Sequence, residues 1–165
     1  MKTFGLILLS ALLFFGNSTA QNKELKKEVN QEVVSLSLGE LVKSKNFEFV
    51  ANTAMPLGQP SINLFGNEYS VVFSAEKIVS DLPYFGVATR SAGLERDKGM
   101  RFEGEPIDFK VVDLRNGYRV KATIKTDRDR CTLSLEIGNS GYATLTIDSK
   151  NRELISYQGE VRRLR

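Results

Sequence analysis

A chain of 165 residues, of which 41% are hydrophobic and 26% charged, has the composition of a globular protein and the length of one domain. It has no histidine, no tryptophan and a single cysteine, which excludes His-based triads, His-ligated zinc, Cys₄ metal sites and an internal disulfide. We expect no cofactor and no metal, although a calcium or magnesium site made of carboxylates alone is the alternative; the spacing of an EF-hand loop is not present. Its 23 basic and 20 acidic residues give a formal charge of +3 without the basic patch of a nucleic-acid binder, so we expect no nucleic-acid partner.

Residues 1–20 have the three parts of a secretory signal. Lys2 is the positively charged n-region, and residues 4–15 form an apolar h-region that is too short to span a bilayer. Residues 18–20 are small, as a signal-peptidase cleavage site requires. We expect cleavage after Ala20 and a soluble periplasmic or secreted protein with no transmembrane segment in the mature chain. A buried core helix is the alternative interpretation of this stretch.

Residues 21–36 form a charged leader in which Leu25, Val29, Val33 and Leu36 have helical spacing. This pattern predicts a short amphipathic helix, or a segment that is helical only when docked. The sequence Ser-Leu-Gly-Glu at 37–40 fits a capping box and predicts one or two helical turns that end near Asn46. A short helix in this position commonly closes one end of a β-domain or covers an open face.

From Phe47 onwards, apolar residues alternate with polar ones, which is typical of half-buried strands. The turn signals between the strands are Met55-Pro56, Gln59-Pro60, Gly66-Asn67, Asn116-Gly117, 127–130, 138–141 and 149–152. We therefore predict one β-rich domain over 37–161: mainly β, an antiparallel meander of about 8–10 strands, curled or barrel-like, with a short N-terminal helix. Residues 162–165 are predicted to be a basic tail.

Inward-facing positions carry the candidate core. Cys131 alternates with Leu133 and Leu135, which predicts a small, buried and unpaired core residue rather than a reactive thiol. The aromatic residues predicted to face inwards are Phe47, Phe49, Tyr69, Phe73, Phe109, Tyr118 and Tyr157. The same set suits a packed core or the lining of an enclosed apolar ligand site.

The candidate binding site begins at the corner Leu82-Pro83-Tyr84-Phe85-Gly86. Proline and glycine fix the backbone there, and neighbouring residues of an extended segment point to opposite sides. We therefore expect one of Tyr84 and Phe85 to be buried and the other to line a recess. Tyr84 is the better candidate for the recess, because its hydroxyl needs a partner or water. The irregular, charged stretch 87–99 is predicted to be a loop beside it, which adds Arg90 and Arg96 to the site, although a solvated hairpin end is the alternative.

Four stretches of the sequence, one of them this corner, form a recognisable combination. They are 47–52 with Pro56 after it, 82–86, 142–147 and 151–159. Together they resemble a family of exported bacterial proteins, the domain-of-unknown-function family 4251, over about Leu41 to Glu160. The resemblance implies a Gram-negative envelope or secreted setting and no activity, because none is assigned to the family. Some members carry a lipoprotein cysteine after the signal. This chain does not, so we expect no anchoring by that route.

Three functions remain compatible with these patterns. We favour a non-catalytic, monomeric binding module for a small apolar ligand or an envelope partner. The alternative is a protein–protein or surface interaction module without a ligand pocket, using outward hydroxyls beside Tyr142. A carboxylate-based hydrolase acting through Glu103, Glu105 and Asp108 is the third.

The signal predicts a mature chain that begins at Gln21. Mass spectrometry of the protein recovered from periplasm or medium should give the mass of the chain from Gln21 to Arg165 without lipid. A mass that includes Met1, or one raised by an acyl group, would contradict this expectation.

Overall fold

The structure is a computed structural model that describes residues 37–86, 99–125 and 129–164. The predicted signal and charged leader lie outside these residues, as do Arg90, Arg96 and Arg165. Among the described residues, no helix is both long and apolar enough to cross a membrane.

One short helix and ten strands make up the described chain. Helix α1 covers residues 37–43. The strands are β1 (Phe47–Pro56), β2 (Ile62–Asn63), β3 (Ser70–Phe73), β4 (Ile78–Pro83), β5 (Gly99–Gly104), β6 (Pro106–Leu114), β7 (Gly117–Lys125), β8 (Arg130–Gly138), β9 (Tyr142–Ser149) and β10 (Arg152–Arg162). Their order across the sheet is β5-β4-β3-β1-β10-β9-β8-β7-β6, with β2 paired to β1. Every pairing is antiparallel, which confirms the predicted class.

The sheet curls into a nearly closed, barrel-like form because its two end strands are consecutive in the chain. Only Glu105 separates β5 from β6, yet β5 pairs with β4 and β6 pairs with β7. A single extended segment thus joins the two ends of the sheet. Strands β6 to β10 form the predicted meander, whereas β1 lies between β3 and β10 instead of at an edge.

The interior of the curled sheet is a packed core. Phe47, Phe49, Phe73 and Tyr157 are fully buried, and the rings of Phe47 and Phe73 stack with centroids 4.9 Å apart. The other three aromatic residues predicted to face inwards, Tyr69, Phe109 and Tyr118, are half-buried and pack against this core. Cys131 is buried and free, as its alternation with leucines predicted.

Helix α1 packs against β6 and β7. Leu38 and Val42 enter the core, and the glycine at 39 lets the helix approach the ring of Tyr118. At its C-terminal end, Lys43 forms a 3.0 Å ion pair with Asp113, and Lys45 donates a 3.2 Å hydrogen bond to the carbonyl oxygen of Phe109. The predicted short helix therefore covers the side where β6 has no second strand partner.

Several predicted boundaries differ from the structure because strands run through residues taken as turn signals. Met55 and Pro56 end β1, where a proline at a strand end costs little. Gly99 begins β5 rather than ending the loop, and Ser149 and Arg152 pair with each other in β9 and β10. The predicted tail is also shorter, since Arg162 lies in β10 and forms a 2.8 Å ion pair with Glu48.

The β1–β10 pairing contains a bulge that depends on one glycine. The register shifts between Ala51 and Thr53, opposite Gly159 and Gln158. A side chain added at Gly159 would overlap the carbonyl oxygen of Val50, so the two backbones come closer here than any other residue permits.

Gly159→Ala is expected to lower the free energy of unfolding by about 1–3 kcal/mol, because the added methyl group must push the two strands apart. The matched control is Gly138→Ala, since the nearest atom to a Cβ there is 3.6 Å away. Urea unfolding followed by circular dichroism measures both variants. Equal stability of the two would contradict the close approach at Gly159.

Candidate functional site

An open recess of about 620 Å³ lies on the outer face of the sheet, across β8, β9, β10 and β1. Its lining residues are Asn52, Thr53, Leu114, Asn116, Glu136, Ile137, Gly138, Tyr142, Ala143, Thr144, Gln158 and Gly159. Of the predicted site residues that the structure describes, Tyr84, Phe85 and Tyr142, only Tyr142 is part of this lining.

Strand register assembles one wall of the recess. Thr53 pairs with Gln158, Gln158 with Thr144, and Thr144 with Glu136, so four polar residues form a row across four strands. Because side chains alternate between the two faces of a sheet, paired residues share a face. The half-buried or exposed state of these residues places that face outwards.

Gly138 lines the recess, and its missing side chain leaves space there. Leu114 pairs with Gly117, and Gly117 pairs with Gly138, so this neighbouring row has no side chain at two successive positions. Leu114 and Tyr142 stand near the gap, with 38% and 70% of their surfaces exposed. The side chains of Ile137 and Ala143 are buried in the core, so only their backbone can contribute to the floor.

The lining offers neutral polar groups beside an exposed aromatic ring. Within the described residues, the amide side chains of Asn52, Asn116 and Gln158 and the hydroxyl groups of Thr53 and Thr144 make no hydrogen bond to the rest of the protein. Glu136, in contrast, accepts hydrogen bonds from Arg119 Nε at 3.0 Å and Nη2 at 2.8 Å. Among the lining residues that the structure describes, neither lysine nor arginine occurs.

The predicted corner has a different character. Tyr84 and Phe85 are both half-buried and both pack against the core, so the expected division into one buried and one exposed ring is not present. The Tyr84 hydroxyl donates a 3.2 Å hydrogen bond to the carbonyl oxygen of Glu153, and the Arg152 guanidinium lies 5.2 Å from the Tyr84 ring centre. Burial raises the pKa of Tyr84.

Two residues outside the predicted binding site, Tyr157 and Arg152, hold this corner in place. The buried hydroxyl of Tyr157 donates a 2.6 Å hydrogen bond to the carbonyl oxygen of Pro83, and burial raises the pKa of that phenol. Arg152 donates to the carbonyl oxygen of Gly99. Strand β10 therefore ties the end of β4 to the start of β5. The sequence contained one indication of this role. A tyrosine at a predicted inward position needs a hydrogen-bond partner for its hydroxyl when it is buried.

The carboxylates considered for hydrolysis lie outside the recess. Glu103 forms a 2.9 Å ion pair with Lys77, and Asp108 lies 3.2 Å from the Lys110 ammonium group. Glu105 is exposed at the junction of β5 and β6. Across the described ranges, no group of three or more acidic or cysteine side chains is arranged to hold a metal ion.

Fold and site together define a small antiparallel, barrel-like β protein with a packed interior and an external recess. The sequence matches the family described as "Domain of unknown function (DUF4251)" over residues 28–161. The chain belongs to this family, which confirms the resemblance seen in its motifs.

A solved relative shows the same fold. The chain is similar to a protein titled "Crystal structure of a DUF4251 family protein from Bacteroides eggerthii DSM 20697", with a TM-score of 0.61 and 18% identity. The similarity covers 79% of this chain and 88% of that one. No match was found among the curated proteins.

Tyr157→Phe is expected to lower the free energy of unfolding by about 1–3 kcal/mol, because the Pro83 carbonyl oxygen loses its donor in a buried environment. Tyr84→Phe is the matched control. Its hydroxyl bond is longer, at 3.2 Å, and lies in a half-exposed place where water can replace it. Urea unfolding compares the two. A loss for Tyr84→Phe as large as that for Tyr157→Phe would contradict this assignment.

Cys131 provides a pH-dependent prediction. Burial, with a smaller contribution from Asp129, raises the pKa of its thiol to about 11 from 9.0. The native state therefore holds a proton that the unfolded chain releases, so the stability from this group is present below about pH 9 and is lost as pH rises towards 11. Cys131→Ala should show a smaller decline in unfolding free energy over this range.

Thiol labelling checks the same residue in a second way. The thiolate is the reactive form, so an aromatic disulfide reagent should label the native protein far more slowly than the urea-unfolded chain. Rapid labelling of the native protein would show that Cys131 is accessible.

Proposed function

We propose that this protein is a non-catalytic binding module that uses the outer-face recess around Tyr142 as its binding site. The observation that carries the proposal is the contrast between the two faces of the sheet. The inner face is filled by mutually packed side chains, and the outer face presents an open recess with polar groups that have no partner in the described protein.

This contrast favours an external site over an enclosed apolar one. Phe47, Phe49, Phe73 and Tyr157 fill the space that a carried ligand would need. Protein interiors are close-packed, and inserting further groups into such a core costs about 1–3 kcal/mol or more. The recess, in contrast, has the volume of a small-molecule site, since these span about 300–1,000 Å³.

The cellular setting belongs to the same proposal. The n-region, apolar run and small residues of 1–20 support export and cleavage after Ala20, which gives a periplasmic or secreted protein. We propose that it acts there as a monomer.

Protein-observed ¹⁵N NMR with a library of small polar and apolar fragments tests the location of the site. Fragments that bind should shift the backbone amide signals of Tyr142, Thr144 and Gln158 together, because these residues line one recess. Gly138→Leu should remove these shifts, since Gly138 lines the recess and a Cβ there would meet its nearest atom only at 3.6 Å, so the longer side chain can occupy the recess.

The matched control is Thr132→Ala, an exposed position on β8 outside the recess, which should leave the shifts unchanged. Fragment shifts that cluster on core residues such as Leu145 and Ile147 would instead indicate an enclosed site and overturn the proposal. The same conclusion would follow if no fragment shifted the signals of the recess.

A further inference from the structure

We infer that the recess binds a neutral carbohydrate, with the Tyr142 ring against the C–H face of a sugar and the surrounding amide and hydroxyl groups bonded to its hydroxyls. This inference rests on the proposed function of the recess and adds the chemical class of the ligand. Two observations support this class of ligand: the composition of the lining and the placement of the recess on the sheet.

The hydrogen-bonding groups match a ligand rich in hydroxyls. Each sugar hydroxyl donates one hydrogen bond and accepts others, so it suits side chains that can do both. Asn52, Asn116 and Gln158 each carry a carbonyl oxygen and an amino group, and Thr53 and Thr144 each carry a hydroxyl. Because none of these groups has a protein partner among the described residues, all five remain available.

The charges of the lining disfavour an anionic ligand. Recognition of phosphate or carboxylate groups usually relies on arginine or lysine, and neither is among the described residues that line the recess. Glu136 is the one charged residue in the described part of the lining, and its carboxylate is compensated by Arg119 while retaining acceptor capacity. A neutral sugar can donate to this carboxylate without bringing a charge of its own.

The exposed apolar side chains of the lining include one flat aromatic ring. Tyr142 is 70% exposed although it is a large aromatic residue, and Leu114 is the other exposed apolar side chain of the recess. A ring of this kind offers an apolar face and a polar tip, which suits a ligand that has both C–H and O–H surfaces. An aliphatic ligand would leave the amides and hydroxyls of the same recess without partners.

The position of the recess disfavours an extended peptide. Peptides commonly bind β proteins by adding a strand to a free sheet edge, where main-chain groups are unpaired. Strands β8, β9 and β10 are interior strands, each paired on both sides, so their main chains are already used in the sheet. Recognition here must come from side chains, and the open form of the recess allows both ends of a longer glycan to continue into solvent.

The inference is tested by ¹⁵N NMR titration with four kinds of probe. The neutral probes are cellohexaose, mannohexaose and xylohexaose. The others are trigalacturonate as an anionic sugar, a hexapeptide of alternating alanine and serine, and decanoate as an aliphatic ligand. We expect at least one neutral hexasaccharide to shift the signals of Tyr142, Thr144 and Gln158, and the other three kinds to leave them in place.

Variants assign the contacts. Tyr142→Ala should weaken binding of that hexasaccharide about tenfold or more, because the flat ring is lost. Tyr142→Leu keeps apolar volume without a planar face and should weaken binding to a similar extent. Thr132→Ala is the control outside the recess and should bind as the wild type does. Urea unfolding of each variant confirms that the fold is retained.

The outcomes separate the two proposals. If only the peptide, decanoate or trigalacturonate shifts the recess signals, the recess is a binding site but the carbohydrate inference is overturned. If the neutral hexasaccharides bind while Tyr142→Leu binds them as well as the wild type, stacking on the tyrosine ring is overturned. If neither fragments nor these probes shift the recess signals, both the inference and the proposed function fail.

Discussion

The antiparallel pairing of β1 with β10 is the constraint on which the rest of this structure depends. It joins residues as far apart as Glu48 and Arg162, which are 114 positions apart in the sequence. With β1 held between β3 and β10, the meander β6–β10 and the hairpins β3–β5 belong to one sheet. The same pairing positions Thr53 beside Gln158 and so completes the row of polar residues in the recess. Gly159 makes the pairing possible because no other residue fits against Val50 at the bulge.

Local patterns predicted much of the fold. The alternation of apolar residues in β7, β8 and β9, the Asn116-Gly117 hairpin and the short helix follow from interactions between neighbours in sequence. The insertion of β1 between β3 and β10 could not be predicted this way, since it depends on contacts between distant parts of the chain. Boundaries at Pro56, Gly99 and Arg152 were misplaced because turn-forming residues also occur at strand ends.

The recess was largely hidden from sequence analysis for the same reason. Tyr142 was identified as an outward aromatic residue, but Asn52, Asn116 and Gln158 are ordinary polar residues until strand register brings them together. Tyr84 and Phe85 stand out in the sequence because a proline and a glycine flank them. In the structure, that corner is bound by Tyr157 and Arg152 to neighbouring strands, and its aromatic rings contribute to packing. A clear local sequence motif can therefore mark a place where strands are held together. The residues of a binding surface, in contrast, can lie far apart in the sequence and form no motif.

The central position of β1 also has a consequence for how the chain folds. During synthesis, β1 emerges first among the strands, but its partner β10 is the last to appear. The sheet cannot close until the chain is nearly complete, and topologies dominated by such distant contacts fold slowly because the entropy of loop closure must be overcome early. A chain that ended before β10 would leave β1 and β9 with unpaired edges, the type of surface that promotes aggregation. Pairing of the C-terminal strand with β1 and β9 is therefore what leaves neither of them as an open edge of the sheet.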